Sequence, residues 1–426
     1  MILFTASGLL ICLTLSIPVG IVLFLLAFGI DGLFSPFPLM RGLGQVIWSS
    51  SNSATLIAIP FFVLLGEVLV RSGVAQRTYA ALESWVSWLP GGLIHANIAT
   101  ATLFSATSGS SVATAATVAS VAMPQAERLD YDPRLFSGAI AAGGTLGIMI
   151  PPSINLIVYG FLTETSIPKL FLAGLVPGLL LALMFMAMTA LLCFIKPSLG
   201  GPGIKADWGC RILGLKDLVP LLVLFGTIVG SIYAGWATPT EAAAIGVAMA
   251  FVIAGLQRAL SISMLVNSLK GTVRTTSMIM LVVIGAYVLN FVLTAAGVSG
   301  ALRDFLQGLG MGPLATLMVI ILMYIVLGFF IETLSLMVAT IPIVVPIIIQ
   351  LGYDPLWFGI LMIMLVEMAL ITPPVGLNLY VVQAARKSGR FSDVMIGVIP
   401  YAIAMLIMVA LLVIFPAIAL YLPTHL

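Results

Sequence analysis

Charge is the scarcest thing in this sequence. Asp, Glu, Lys and Arg together make up 8% of 426 residues, against about a quarter in soluble domains. So few charges cannot cover the surface of a water-soluble fold of this size. With 61% of residues hydrophobic, the chain reads as an all-α polytopic membrane protein, its backbone polar groups satisfied inside helices. A net charge of +2 gives no nucleic-acid partner a reason to bind. Cysteine is nearly missing: Cys12, Cys193 and Cys210 have no paired spacing and read as small apolar fillers. The two histidines, His95 and His425, are too far apart for a metal site or a proton relay. No nucleophile with its base, metal cluster or carboxylate pair stands out, which argues against an enzyme. A cleavable leader is not expected either. The first apolar run, Ile2 to Ile30, is about 29 residues, too long for a signal core of roughly 7–15, and reads as the first transmembrane helix.

What the sequence has in abundance is apolar runs, and some are broken. A crossing needs about 20 residues. Continuous candidates lie at 2–30, 53–71, 170–195, 217–235, 239–257, 275–296 and 394–422. Two longer ones, 134–160 and 356–382, are interrupted, and 91–127 and 312–350 split into halves too short to cross. These last two are expected to be re-entrant hairpins. Amphipathic pieces precede each, Tyr79–Pro90 and Leu302–Gly310, and read as arm helices lying near the membrane surface.

One register links the two halves. "LDYDP" (Leu129–Pro133) and "LGYDP" (Leu351–Pro355) are 222 residues apart. The same offset carries Pro124 onto Pro346, "IPPS" (Ile150–Ser153) onto "TPPV" (Thr372–Val375), and Thr107–Ser111 onto Phe329–Thr333. This reads as a duplication: a first repeat over 1–195, a cytoplasmic loop over 196–216, an extra connecting helix over 217–235 and a second repeat over 236–426. Lys and Arg favour the cytoplasmic side. With the N-terminus inside and nine crossings, 17 such residues fall inside except Arg41, Lys169 and Arg303. The C-terminus is then periplasmic, and the repeats are inverted relative to each other.

The paired breaks point to the site. Transporters with inverted repeats bind substrate and ions where helices unwind near the midplane. Half-helix N-termini receive anions there, and freed carbonyls hold cations. Here the breaks are the tips, Ser105–Ser111 and Gly328–Ser335, and the interruptions at "AAGGTLGIMIPPS" (Ala141–Ser153) and "EMALITPPVGLN" (Glu367–Asn378). Two successive prolines remove amide donors and unwind a helix. Intramembrane acids are functional candidates by default: Glu332 at the second tip faces an ion or substrate or stabilises the tip, Glu367 takes part in transport or supports the break, either acid could couple transport to protons instead of sodium, and Glu67 is interfacial. Glu241 reads as the opening of a helix.

At these motifs the chain resembles the large membrane subunit of tripartite ATP-independent periplasmic (TRAP) transporters. "SATSGSSVATAATVASVAMP", "AAGGTLGIMIPPSINLIVYG", "SIPKLFLAGLVPG" and "ITPPVGLNLYV" carry the resemblance, which runs from Pro18 to the C-terminal helix. It implies a sodium-driven importer of an organic acid, such as a C4-dicarboxylate or sialic acid, in a bacterial inner membrane. It further implies a periplasmic substrate-binding protein and a small four-helix membrane subunit. With no extension ahead of Met1, that subunit is expected as a separate chain. The implied fold is similar to that of divalent-anion/sodium symporters, working as an elevator. Matched by motif, one sodium ion would lie at Ser105, Ser108 and Gly109 with the unwound Gly144 to Pro151 region. A second would lie at Gly328 and Thr333 with Thr372, Pro374 and Gly376. The substrate would sit near Ser110, Ser111, Pro152, Ser153 and Asn378. Family members commonly carry Asp where this chain has Glu332, a departure at the second tip.

Overall fold

Some prolines and glycines end helices in this chain, while others, such as Pro124, Pro177 and Pro220, lie inside them. In the computed structural model, residues 2–15, 17–35, 38–201, 208–297, 300, 310–373, 376–386 and 389–425 are described, and their regular structure is helical throughout. Helices α1 (Ile2–Thr14) and α2 (Val19–Phe34) flank Pro18, which has no amide to give and stands at the N-cap of α2. They fold back on each other: the Phe4 and Phe34 rings lie 5.8 Å apart and Gly8 faces Leu26. The run expected as one helix over 2–30 is therefore an antiparallel pair, each member shorter than a crossing needs.

After α3 (Leu43–Ser51) come α4 (Ala58–Arg71) and α5 (Val74–Val86), which meet at 69° across Gly73. The arm expected over 79–90 thus starts earlier, and it buries one face, including Val74, Thr78, Tyr79 and Leu82. Its counterpart over 302–310 falls almost wholly outside the described residues. The first hairpin is α6 (Leu93–Ser108) and α7 (Ser111–Arg128). The first broken helix is α8 (Pro133–Met149) and α9 (Ile154–Thr163), bent by 41°. Then follow α10 (Ile167–Ile195), α11 (Trp208–Tyr233), α12 (Pro239–Leu256) and α13 (Ile262–Ala295). Glu241 does open α12: its carboxylate accepts from the Thr238 amide at 2.7 Å while the Thr238 hydroxyl accepts from the Glu241 amide at 3.3 Å.

The second half repeats the pattern with α14 (Pro313–Gly328), α15 (Thr333–Gln350), α16 (Pro355–Ala369), α17 (Leu377–Ala385), α18 (Phe391–Ile414) and α19 (Ala417–His425). Helices α7 and α15 start at Ser111 and Thr333 and end at Arg128 and Gln350, 222 residues apart at both ends. Helices α8 and α16 open with Pro133 and Pro355, each capped by the preceding Asp side chain. The helix expected over 394–422 is interrupted at Pro416, which separates α18 from α19. Among the described residues six helices are long and apolar enough to cross a bilayer, or eight if the bent pairs α4–α5 and α8–α9 each count once. Seven of these eight fall on the nine crossings expected; the first run doubles back, and the second broken helix contains the undescribed residues 374–375. The eighth is α15, an arm of the hairpin over 312–350, whose halves were expected to be too short to cross but which at 18 residues is long enough.

Two features of the packing position the site. Helix α8 is buried along nearly its whole length, between α6, α7 and α18, and its small residues allow the approach. Each half-helix beyond a break packs against the hairpin of the other half: α17 on α7, and α9 on α15.

Candidate functional site

The first tip is built by three residues. Gly109 takes a left-handed conformation (φ 57°, ψ 14°) that ends α6. Ser110 is extended and caps α7, its hydroxyl accepting from the Ala113 amide at 3.4 Å. The Ser108 and Thr114 hydroxyls pair at 2.5 Å across the turn. Ser105 turns back into its own helix, its hydroxyl donating to the Ala101 carbonyl at 2.5 Å.

The first broken helix receives this tip. Pro151 and Pro152, joined by a cis peptide bond, cannot donate to the carbonyls of Gly147 and Ile148, one turn upstream. Ser153 then caps α9. Glycines let the tip come close. A Cβ on Gly147 would stand 2.9 Å from the Ser110 carbonyl oxygen and 2.8 Å from Thr114 Oγ1. One on Gly144 would stand 3.1 Å from the Ser111 carbonyl oxygen and 3.0 Å from Asn378 Nδ2.

Asn378 comes from the other half. Its amide donates to the Leu370 carbonyl at 3.1 Å and its side-chain nitrogen to the Ala141 carbonyl at 3.1 Å. Its Oδ1 is buried and accepts no hydrogen bond. Glu367, fully buried on α16, accepts a short hydrogen bond on Oε2 from the Ser111 hydroxyl, while Oε1 is unpartnered. Ser111, Gly144, Asn378 and Glu367 therefore form one cluster joining both halves, with two acceptor oxygens unused.

The second tip is chemically different. Glu332 is exposed and caps α15, accepting from the amides of Leu334 at 3.1 Å and Ser335 at 2.9 Å. Both bonds are to its own helix, as expected of an acid stabilising the tip. Thr333 Oγ1 is buried without a partner. Gly328 lies against Ala369, where a side chain would not fit. Thr372 donates to the Met368 carbonyl at 2.6 Å, and Gly376 (φ 48°) opens α17. Pro374 lies outside the described residues.

The structure thus gathers Ser108, Ser110, Ser111, Gly144 and Asn378, while Gly328, Glu332, Thr333 and Thr372 group around the end of α16. Sequence reasoning left Glu367 between a role in coupling and support of its own break, and did not foresee its bond to Ser111. Gly147 lies within the Gly144 to Pro151 region assigned to the first ion, whereas Thr114 was missed as a tip contact, for nothing in its spacing tells a receiving surface from ordinary small-residue packing.

Between the first tip and helices α4 and α13 lies a cavity of about 240 Å³, walled by Ser108, Ser110 and Ile154 on one side and Glu67, Arg71 and Thr275 on the other. A larger basin of about 840 Å³, between the α9–α10 turn and the start of α12, contains none of the predicted site residues.

A membrane-crossing helical protein with two hairpins and two paired breaks meeting inside it has the architecture of a carrier rather than of an enzyme or a simple pore. The fold agrees: the structure of the YdaH transporter of Alcanivorax borkumensis matches with a TM-score of 0.63 over 95% of this chain and 96% of that one, at 14% identity. The chain belongs to the family described as tripartite ATP-independent periplasmic transporter, DctM component, which matches residues 6–418. Among its relatives is the C4-dicarboxylate TRAP transporter large permease protein of Pseudomonas aeruginosa, 36% identical and covering 92% of both chains. Another is the sialic acid TRAP transporter large permease protein of Vibrio cholerae, 33% identical over 89% of this chain and 88% of that one. It is a multi-pass transporter permease and not an enzyme.

Proposed function

We propose that this chain imports an organic acid by sodium-coupled alternating access, taking it from a periplasmic binding protein and working beside a small four-helix membrane subunit. The named substrates of its relatives, a C4-dicarboxylate and sialic acid, are carboxylates, which sets the substrate class. The setting is a bacterial inner membrane, with the Arg- and Lys-rich helix ends cytoplasmic.

The observation that carries the reading is the cluster at the first tip. A hard cation takes oxygen ligands, and the chain offers them there: hydroxyls of Ser108 and Thr114, carbonyls of Gly147 and Ile148 that Pro151 and Pro152 leave without helical donors, and the Asn378 side-chain oxygen, unpartnered among the described residues. Bound sodium would supply positive charge that fixes the tips. The N-termini of α7 and α9 give a carboxylate its amide donors. Recurrence of helix ends at one spacing supports an internal duplication, inverted about the membrane plane. The hairpins with their broken helices would then move as an elevator past the remaining helices.

A second reading is proton coupling, favoured by Glu367, a buried acid with no basic residue among its hydrogen-bond partners. One experiment separates the two. The permease, reconstituted in vesicles with its small subunit and cognate binding protein, should take up substrate under an inward sodium gradient and not without one. Uptake driven by a pH gradient in sodium-free buffer, and lost in Glu367→Gln, would favour the proton instead.

A further inference from the structure

The cavity beside the first tip contains a cation that nothing above has used. Arg71, at the end of α4, is bound through Nε and Nη2 to the carboxylate of Glu67, one turn earlier, at 3.2 and 2.7 Å. A guanidinium has five N–H donors. The Glu67 bonds occupy one edge of the fork, and among the described residues Nη1 makes no hydrogen bond. The side chain is 38% exposed, and it shares the cavity wall with Glu67. The Glu67 carboxyl group lies close against Gly271 of α13, where a larger residue would displace it. The opposite wall is Ser108, Ser110 and Ile154, so the starts of α7 and α9 face the guanidinium across the cavity.

We propose that Arg71 is a substrate-contacting residue: it receives a carboxylate in this cavity, with Glu67 as the competing anion that holds it when no substrate is there. This rests on the carboxylate-import reading above. The physical grounds are as follows. A guanidinium binds carboxylates bidentately through the edge of its fork. A volume of about 240 Å³ accommodates several waters or a small organic acid. The cavity has two places that receive negative charge, the Arg71 fork and the amide ends of α7 and α9. A substrate with an anionic group at each end satisfies both, and one with a single carboxylate satisfies one. Glu67 keeps the wall neutral when the cavity is empty, and because Arg71 is 38% exposed the pair opens at little cost. The pair thus sets both affinity and preference for doubly charged substrates.

The test uses succinate and succinamate, which differ by one carboxylate replaced by an amide. Binding to the purified permease with its small subunit is measured by calorimetry in sodium buffer. The wild type should prefer succinate. Arg71→Gln should weaken succinate about tenfold or more, the scale of one lost charge-assisted hydrogen-bonded contact, and leave succinamate nearly unchanged. Arg71→Lys should recover part of the loss. Glu67→Gln, which removes the competing anion, should tighten succinate, an outcome that a purely structural ion pair does not give. Thermal unfolding of each variant shows that it is folded. A succinate preference kept in Arg71→Gln, or weakened binding in Glu67→Gln, overturns the proposal. A wild type that binds N-acetylneuraminate but not succinate also overturns it while leaving carboxylate transport standing. A reconstituted wild type that takes up neither overturns the transport reading as well.

Discussion

Ser111 makes two contacts that belong to different halves of the chain. Its backbone carbonyl faces Gly144, and its hydroxyl donates to Glu367. Ser111→Ala would leave both Glu367 oxygens buried without a described partner, a loss of about 1–3 kcal/mol. The expected outcome is a lower unfolding temperature in lipid nanodiscs and a raised half-saturating sodium concentration for uptake. Ser111→Thr, which keeps the hydroxyl, should restore most of both. If Ser111→Ala changes neither quantity, the Glu367 bond contributes nothing beyond packing. At Glu332 the residue-scale lesson is different. Its two bonds to the α15 amides are those of a helix cap, so its extra methylene relative to Asp is absorbed outside the Ser111 cluster.

Helices α8 and α18 cross so closely that Gly138 touches the Gly397 backbone and Gly397 touches the Arg134 carbonyl. Their neighbouring ends are tied by Asp393, which pairs with Arg134 at 3.3 Å and Arg386 at 3.5 Å. Gly138→Val should force the helices apart, at a cost of about 1–3 kcal/mol, read as a drop in unfolding temperature. The same substitution at Gly226, whose surroundings are open, should change it little. The positions of the breaks were legible in the sequence because Asp-Pro pairs at Pro133 and Pro355 and double prolines recur at one offset, whereas lone prolines such as Pro177 and Pro220 stay inside helices. The doubling back at Pro18 and the stop at Pro416 were not read, since an apolar run long enough to span hides one proline inside it. Nor could the sequence show that α17 packs on α7 and α9 on α15. Hydrophobic periodicity tells how a helix faces its surroundings and not which helix it faces.

A cavity separates the first tip from α4, while α6 of the same hairpin packs on α4. If the hairpins move past α4 and α13, a tether across that cavity should stop transport. Gly66→Cys on α4 with Ala116→Cys on α7, in a background where the three native cysteines are serine, is the test. A thiol-reactive crosslinker spanning the gap should abolish uptake, each single cysteine should tolerate the reagent, and full uptake in crosslinked protein would count against relative motion. The Ser111–Glu367 bond also bears on biosynthesis. The two residues are 256 positions apart, and ribosomes extend chains at about 5–20 residues per second, so Ser111 leaves the ribosome on the order of tens of seconds before its partner exists. Through that interval the first hairpin has no Glu367 or Asn378 to close on, and its polar tip must be sheltered by water, lipid headgroups or the insertion machinery. The interior of this permease is thus assembled last, when the second half arrives, and a nascent chain stalled before Glu367 is a species whose first tip has no partner from the second half.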